Sequence, residues 1–394
     1  MPTIKSLYLS YDGLTDPLGQ SQILPYLAGL SQEYRITILS FEKKDRFEKG
    51  RAYIQHLCES ANLTWIPLCY HKRPRVISTL YDLYILRKKC QQLLKKENFQ
   101  LVHCRSYLTS LIGLKLKKNH GLKFIFDMRG FWADERVEGG IWNLSNPIFR
   151  IIFHFFKKKE KEFLHLADHI VSLTESAKNE IRLWNITTPV TVIPTCVDLS
   201  IFNRDQIQDD EILRVKRELG IASNEFVLVY LGSWGTWYLT PDMFAFFSMV
   251  RKNTPAKFLI LSTDNVNTDP CEFAEDVMVK AVKREDVPLY LSLARAAIAL
   301  IKPSFSKKAS SATKIGEYLA MGLPVVTNAG WGDIEQLSSE SVFLLNDLSS
   351  HHLTQAATYL LQMENVTPMK MNGHALDLST GVRKYLDVYR RTLL

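Results

Sequence analysis

The sequence predicts an α/β protein built of two doubly wound parallel-sheet domains. Three observations predict it. Short apolar runs alternate with helical periods along the whole chain, and strict β/α alternation selects parallel strands joined by right-handed crossovers. The chain has 394 residues, too many for one ordinary core and suited to two domains of about 150–200 residues each. A polar, acidic segment, NRDQIQDDEI at 203–212, breaks the pattern after IPTCVD at 193–198, and the domain linker is placed there.

Taken in order, the first half reads as strands near 5–10, 35–41, 63–68, 100–104, 123–128, 169–173 and 190–194. Helical periods fill the gaps, notably at 18–31, 76–97, 106–119 and 146–166. The second half gives strands near 226–231, 257–262, 296–301 and 324–327, with helices near 240–252, 285–294 and 313–321. A last amphipathic helix covers about 376–392. These elements define an N-terminal domain over 1–200 and a C-terminal domain over 205–375, each Rossmann-like, with a cleft expected between them. Ligands of such sheets bind beyond the carboxyl ends of the strands.

Composition narrows the class. Apolar content of 46% and charged content of 23% are those of a globular protein. No stretch reaches the roughly 20 apolar residues of a membrane span, and the polar N-terminus does not read as a signal peptide. The six cysteines are scattered, with no CxxC pair, as expected of small buried residues in a reducing cytoplasm. The net charge of +8 is uneven: residues 1–200 hold 29 Lys and Arg against 19 Asp and Glu, or +10, and residues 201–394 hold 20 against 22, or −2. Basic clusters such as HKRPR (71–75) and KKKEK (157–161) give the first half an affinity for anionic partners, or simply solvate it.

The most informative stretch is SSATKIGEYLAMGLPVVT at 310–327. A helix entering there has its N-terminus at the ligand crevice, where free amides favour an anionic group. Lys314 would join those amides on a diphosphate, and Glu317, one turn further in, would accept from ribose hydroxyls. Ser311 and Thr313 add hydroxyls. The alternative is an exposed i,i+3 helix pair. YLGSWGTWYL (230–239) follows a strong strand; Gly232 and Gly235 allow close backbone approach and Ser233 can donate to a phosphate oxygen, although strand-to-helix turns use glycine anyway.

In the first half, Gly19, Gln20 and Ser21 stand at the start of the first helix, either as a plain cap and turn or as a loop covering phosphates or acceptor. HCRS (103–106) and DMRGFWADE (127–135) end neighbouring strands. There Arg129 would fork onto a phosphate or carboxylate, and Asp127 or His103 would orient an acceptor hydroxyl, with Arg105 beside them. The chain has no GxGxxG, Walker, DxD, HExxH or GxSxG motif, so neither dinucleotide redox chemistry nor a metal site is proposed.

IPTCVD with Phe202, YLGSWGTWY, KIGEYLAMGLPVV and FDMRGFWADE, in this order, resemble the retaining GT-B-fold glycosyltransferases of family four, in the subgroup of bacterial surface-polysaccharide clusters. The resemblance covers nearly the whole chain. It implies two facing Rossmann-like domains and a nucleotide-sugar donor held mainly by the C-terminal one. It also implies a last helix (376–394) crossing back to the first domain, and metal-independent transfer with retention to a glycan or lipid-linked acceptor. Glu317 matches the family's ribose-binding second glutamate. The first glutamate of that pattern falls at Ala309, and the usual His-Asp after the N-domain strand is Asp127-Met-Arg129. The expected setting is cytoplasmic, with no cofactor and no nucleic acid, and with peripheral contact to the inner face of an anionic membrane through IFRIIFHFFKKKEKEF (148–163).

Overall fold

A computed structural model describes residues 4–74, 76–337, 341–363 and 370–394; Arg75 of the HKRPR cluster lies outside the described residues. The chain divides into two compact units, one running to Pro194 and taking back Leu378–Leu394, the other covering Thr195–Asp377.

The first unit holds strands β1 (Lys5–Ser10), β2 (Arg35–Glu42), β3 (Thr64–Cys69), β4 (Leu101–Arg105), β5 (Lys123–Asp127), β6 (His169–Ser172) and β7 (Val190–Val192). Its helices are α1 (Pro17–Gln22), α2 (Leu24–Leu30), α3 (Lys44–Ser60), α4 (Ile77–Leu94), α5 (Ser106–His120), α6 (Trp132–Glu138), α7 (Pro147–Leu166) and α8 (Glu175–Leu183). The strands form one parallel sheet in the order β3-β2-β1-β4-β5-β6-β7. Near-continuous apolar strands such as KFIFD are what a sheet covered on both faces requires.

The second unit holds α9 (Asp209–Glu218), β8 (Phe226–Leu231), α10 (Thr240–Asn253), β9 (Ala256–Leu261), β10 (Val277–Lys280), α11 (Val287–Leu291), β11 (Ala296–Ala299), α12 (Thr313–Ala320), β12 (Val325–Asn328), β13 (Val342–Leu345) and α13 (Ser350–Gln362). Its parallel sheet has the order β10-β9-β8-β11-β12-β13. Alternation along β8 splits the core in two: Val227 and Val229 pack with α12 residues, while Phe226, Leu228 and Tyr230 pack with α10 and α13.

The last helix, α14 (Leu378–Leu393), belongs to the first unit. It buries Tyr385, Val388 and Tyr389, with Tyr385 edge-on to Tyr26 of α2 and Tyr389 against Tyr34. Each such side chain contributes about 1.5–3 kcal/mol by burial.

Three elements differ from the sequence reading. The helix expected over 18–31 is two helices, because Pro25 has no N–H to continue the ladder and Ile23 leaves the helical region (φ −121, ψ −64). The helix expected at 285–294 is a 3-10 turn, Arg284–Asp286, followed by the five-residue α11. Segment 203–212, read as the linker, lies inside the second unit, where Arg204–Gln206 form a 3-10 turn and Asp209 opens α9; the chain passes between units at Pro194–Thr195 and Asp377–Leu378. Five of the six cysteines are buried and Cys69 is exposed.

Candidate active site

In the second unit the first turn of α12 carries the site. Lys314 and Glu317 are 7% and 5% exposed, which removes the reading of an exposed helix pair. Tyr318, next along α12, accepts the Leu231 N–H at 2.7 Å and ties the end of β8 to this helix. Lys314 Nζ donates to Tyr230 Oη at 3.0 Å and lies 4.1 and 3.9 Å from the ring centroids of Tyr230 and Tyr238. Such cation–π contacts replace part of the lost hydration. Gly232 has φ +117, and a Cβ there would sit 3.0 Å from Lys314 Nζ, so glycine is what lets the ammonium reach the turn after β8. Ser233 is exposed on that turn, and its carbonyl accepts the Tyr230 hydroxyl.

Glu317 does not pair with Lys314. Its Oε1 accepts from Arg284 at 3.1 Å, and that guanidinium lies 5.3 Å over the Phe202 ring. Burial pushes Lys314 down to about 7, opposed by the field of Glu317. Burial also raises the Glu317 carboxyl, while Arg284 and Lys314 hold it lower. Both charges are thus poorly compensated.

Ser311 is committed elsewhere. Its hydroxyl accepts from the Thr195 N–H at 3.1 Å and its carbonyl from the Thr195 hydroxyl at 2.7 Å, which fixes the loop before α12. Thr313 is the first residue of α12. Trp234 packs on Phe244 and Phe258, and Lys307 Nζ, itself buried, lies 3.8 Å from the Trp237 ring centroid.

In the first unit the structure brings His103, Arg105, Asp127 and Arg129 together at the ends of β4 and β5. His103 Nδ1 meets Tyr389 Oη at 3.0 Å, and its Nε2 lies 3.5 Å from Asp127 Oδ2, which accepts from Tyr385 Oη at 3.1 Å. Both side chains are at most 2% exposed, so they face α14 rather than solvent. This sets them apart from the expected contact to an acceptor hydroxyl. Arg105 and Arg129 converge on Gln22 Oε1 at 3.1 and 2.8 Å, and Arg105 Nε also donates to Asp12 at 3.1 Å. Arg129 adopts φ +57 to make this turn. Burial raises the Asp127 carboxyl, but Arg129, His103 and Arg105 outweigh it and hold it low; burial lowers His103 against the pull of Asp127.

Gly19, Gln20 and Ser21 lie within α1 rather than in a covering loop, and they are bound to their own neighbours. Gly19 is buried, and a Cβ there would lie 2.2 Å from the Gly13 carbonyl. Gln20 Nε2 donates to the Thr15 carbonyl at 3.3 Å and Ser21 Oγ to the Pro17 carbonyl at 2.9 Å. The buried Glu42 carboxylate accepts from the Leu14 and Thr15 N–H groups and fixes the preceding turn. Gln22, one residue beyond the expected motif, is the side chain that reaches the arginines.

The basic run of α7 is partly spent internally. Lys157 bonds Asp134 at 2.7 Å and also Glu160, and Lys159 bonds Glu162 at 2.5 Å. Lys158 and Lys161 are exposed. So are Ile148, Ile151 and Phe155. No helix among the described residues is long and apolar enough to cross a membrane, and no cluster of three or more His, Cys, Asp or Glu is placed to hold a metal.

Two seven- and six-stranded parallel sheets with these helices define the GT-B architecture. The glycosyltransferase from Rickettsia africae ESF-5 superposes with a TM-score of 0.69 at 12% identity, over 99% of both chains. Sucrose-phosphate synthase from Thermosynechococcus elongatus gives 0.68 at 12% identity, over 98% of both chains. WaaG, a glycosyltransferase involved in lipopolysaccharide biosynthesis, gives 0.63 at 12% identity, over 98% of this chain and 95% of that one. No curated protein sequence matches the chain. Residues 24–201, most of the first unit, match the Glycosyltransferase Family 4 model, and the chain resembles the GT-B glycosyltransferases of that family.

Proposed function

We propose that this glycosyltransferase-like chain moves a hexose-type sugar from a nucleoside-diphosphate donor to a glycan or lipid-linked acceptor, with retention at the anomeric carbon. The observation that carries the donor reading is the Lys314 ammonium, desolvated over Gly232 at the end of β8, whose hydrogen-bond partner among the described residues is a tyrosine hydroxyl. A diphosphate supplies the missing negative charge. The ammonium, the turn amides and Ser233 then stabilise charge developing on the leaving diphosphate. Glu317, oriented by its hydrogen bond from Arg284, accepts from the ribose hydroxyls.

In this reading the bond from the anomeric carbon to the diphosphate oxygen breaks as the acceptor oxygen bonds the same face. The acceptor proton passes to the diphosphate. Arg105 and Arg129 contact the acceptor side, positioned by Gln22, while His103 and Asp127 support them from beneath. No cofactor or metal takes part, and a chelator is expected to leave activity unchanged. The reaction serves assembly of a surface polysaccharide on the cytoplasmic side of the membrane.

The test is thermal stabilisation by a panel of nucleoside diphosphates, since a ligand selective for the folded state raises its apparent stability. One of them is expected to shift the wild type. Glu317→Ala is expected to lose about 1.5–3 kcal/mol of that affinity while remaining folded. Wild-type affinity in the variant overturns the assignment of Glu317.

A further inference from the structure

The outer face of α4 is apolar where a soluble helix is normally polar. Ile77, Leu80, Tyr81 and Tyr84 follow the i, i+3, i+4, i+7 spacing of one stripe and are 65%, 62%, 53% and 60% exposed. The opposite stripe, with Leu83, Leu86 and Cys90, is the one buried in the core. Scattered exposed apolar residues need no explanation, but four contiguous large ones mark an interaction surface.

The charge around this stripe is of one sign. Lys72 and Arg73 are exposed just before the helix, and Arg87 and Lys88 continue the stripe one turn beyond Tyr84. The only carboxylate of α4, Asp82, is fully buried, bonded to His71 Nδ1 at 2.6 Å and Tyr11 Oη at 2.8 Å. The apolar patch is therefore bracketed by cations with no exposed anion on the helix. Long cationic side chains beside an apolar stripe are suited to headgroups above and acyl chains below.

Neighbouring elements extend the surface. α5 packs against both α4 and α7, so the three share one helical layer. Ile148, Ile151 and Phe155 of α7 repeat the exposed apolar stripe, and exposed Lys158 follows it. The stripe also adjoins the ligand edge of the sheet. The Tyr81 ring meets the His71 ring edge-on at 5.1 Å, and His71 lies in the loop after β3.

We propose that α4 is a membrane-docking helix, lying flat on a bilayer of anionic lipids with Ile77, Leu80, Tyr81 and Tyr84 in the interface and Lys72, Arg73, Arg87 and Lys88 on the headgroups. This deepens the proposed function, on which it rests for its purpose, by selecting the lipid-linked acceptor over a free glycan. A lipid-borne substrate would then be presented beside the carboxyl ends of the first unit's strands.

The test is co-sedimentation of the full chain with vesicles of phosphatidylcholine alone or with phosphatidylglycerol added. The wild type is expected to bind the anionic vesicles, to leave them as salt rises, and to bind the neutral ones weakly. Ile77→Ser with Leu80→Ser and Tyr84→Ser is expected to weaken binding about tenfold or more, and Arg87→Glu with Lys88→Glu to do so by about the same factor. These side chains are exposed, so the unfolding temperature should not move. A wild type that ignores anionic vesicles, or variants that bind like it, overturns the proposal. So does a wild type that avoids vesicles and self-associates through this face, shown by variants that become monomeric. Nucleotide stabilisation is measured in parallel on each variant. Its absence in the wild type counts against the donor reading, whereas its presence without vesicle binding counts against docking alone.

Discussion

Each unit gathers buried charge at the carboxyl ends of its strands, and the two treat it in opposite ways. In the first unit Asp127 is set among Arg129, His103 and Arg105, and His103 and Asp127 lean on tyrosines of α14. Asp127 stays below its ordinary range because its cations outweigh burial. In the second unit Lys314 sits over two tyrosine rings and is pushed down to about 7, while the Glu317 carboxyl is pushed up. Burial wins there because compensation is thin. The first cluster compensates its own carboxylate. The second holds an electrostatic debt that a diphosphate would settle, which is why the donor is assigned to it.

Lys314→Met tests that contrast most severely. The ordinary lysine value is 10.5 and the folded one about 7, so between these values the unfolded chain binds the proton more readily. Wild-type stability therefore rises with pH across that window, and the buried amine is a liability at neutral pH. The variant is expected to gain about 1–3 kcal/mol of stability near neutrality and to lose about 1.5–3 kcal/mol of affinity for nucleoside diphosphates. Thermal unfolding with and without nucleotide reads both. Lost binding without the gain would mean that the ammonium is better compensated than its surroundings imply.

Tyr389→Phe probes the other cluster. It strips the partner from His103 Nδ1 in a site closed to water, which should cost about 1–3 kcal/mol of stability in urea unfolding. Nucleotide affinity should stay at the wild-type level. A fall in affinity would show that the two clusters are coupled and would break the comparison.

Arg284→Ala has the smallest expected effect and sharpens the second cluster. Without that cation the Glu317 carboxyl rises further, so more of it is protonated as pH falls and ribose hydroxyls lose their acceptor. Nucleotide affinity relative to wild type should drop about tenfold or less on moving from about pH 8 to about pH 6, and Arg284→Lys should restore part of it. Calorimetric titration at the two pH values decides. A pH-independent loss would make Arg284 a direct ligand instead.

Much of this was legible in the sequence because periodicity is local. The strands ending at Asp127 and Leu231, and the helix carrying Lys314 and Glu317, follow from apolar pattern alone. Partners are not local. Arg284 reaches Glu317 across 33 positions and Tyr230 reaches Lys314 across 84, and no pattern within one element announces either. The alternative of an exposed pair on α12 could be removed only by the structure, since only the closed sheet shows what covers a helix. Ser311 illustrates the reverse error: a hydroxyl at a promising helix start is used up by Thr195, 116 positions earlier. The α4 stripe escaped notice because an apolar period predicts a helix equally well whichever face ends up inside.

The hydrogen bond between Tyr389 and His103 spans 286 positions, and it ties α14 to β4. A ribosome making this chain releases the first seven strands long before the helix that seals them. All of Thr195–Asp377 must be made in the interval, about 10–40 s at typical bacterial and eukaryotic elongation rates. Throughout that time the groove over β4 and β5 is open and the second unit is free to fold first. A nonsense codon or frameshift ahead of α14 would therefore leave the first unit unfinished.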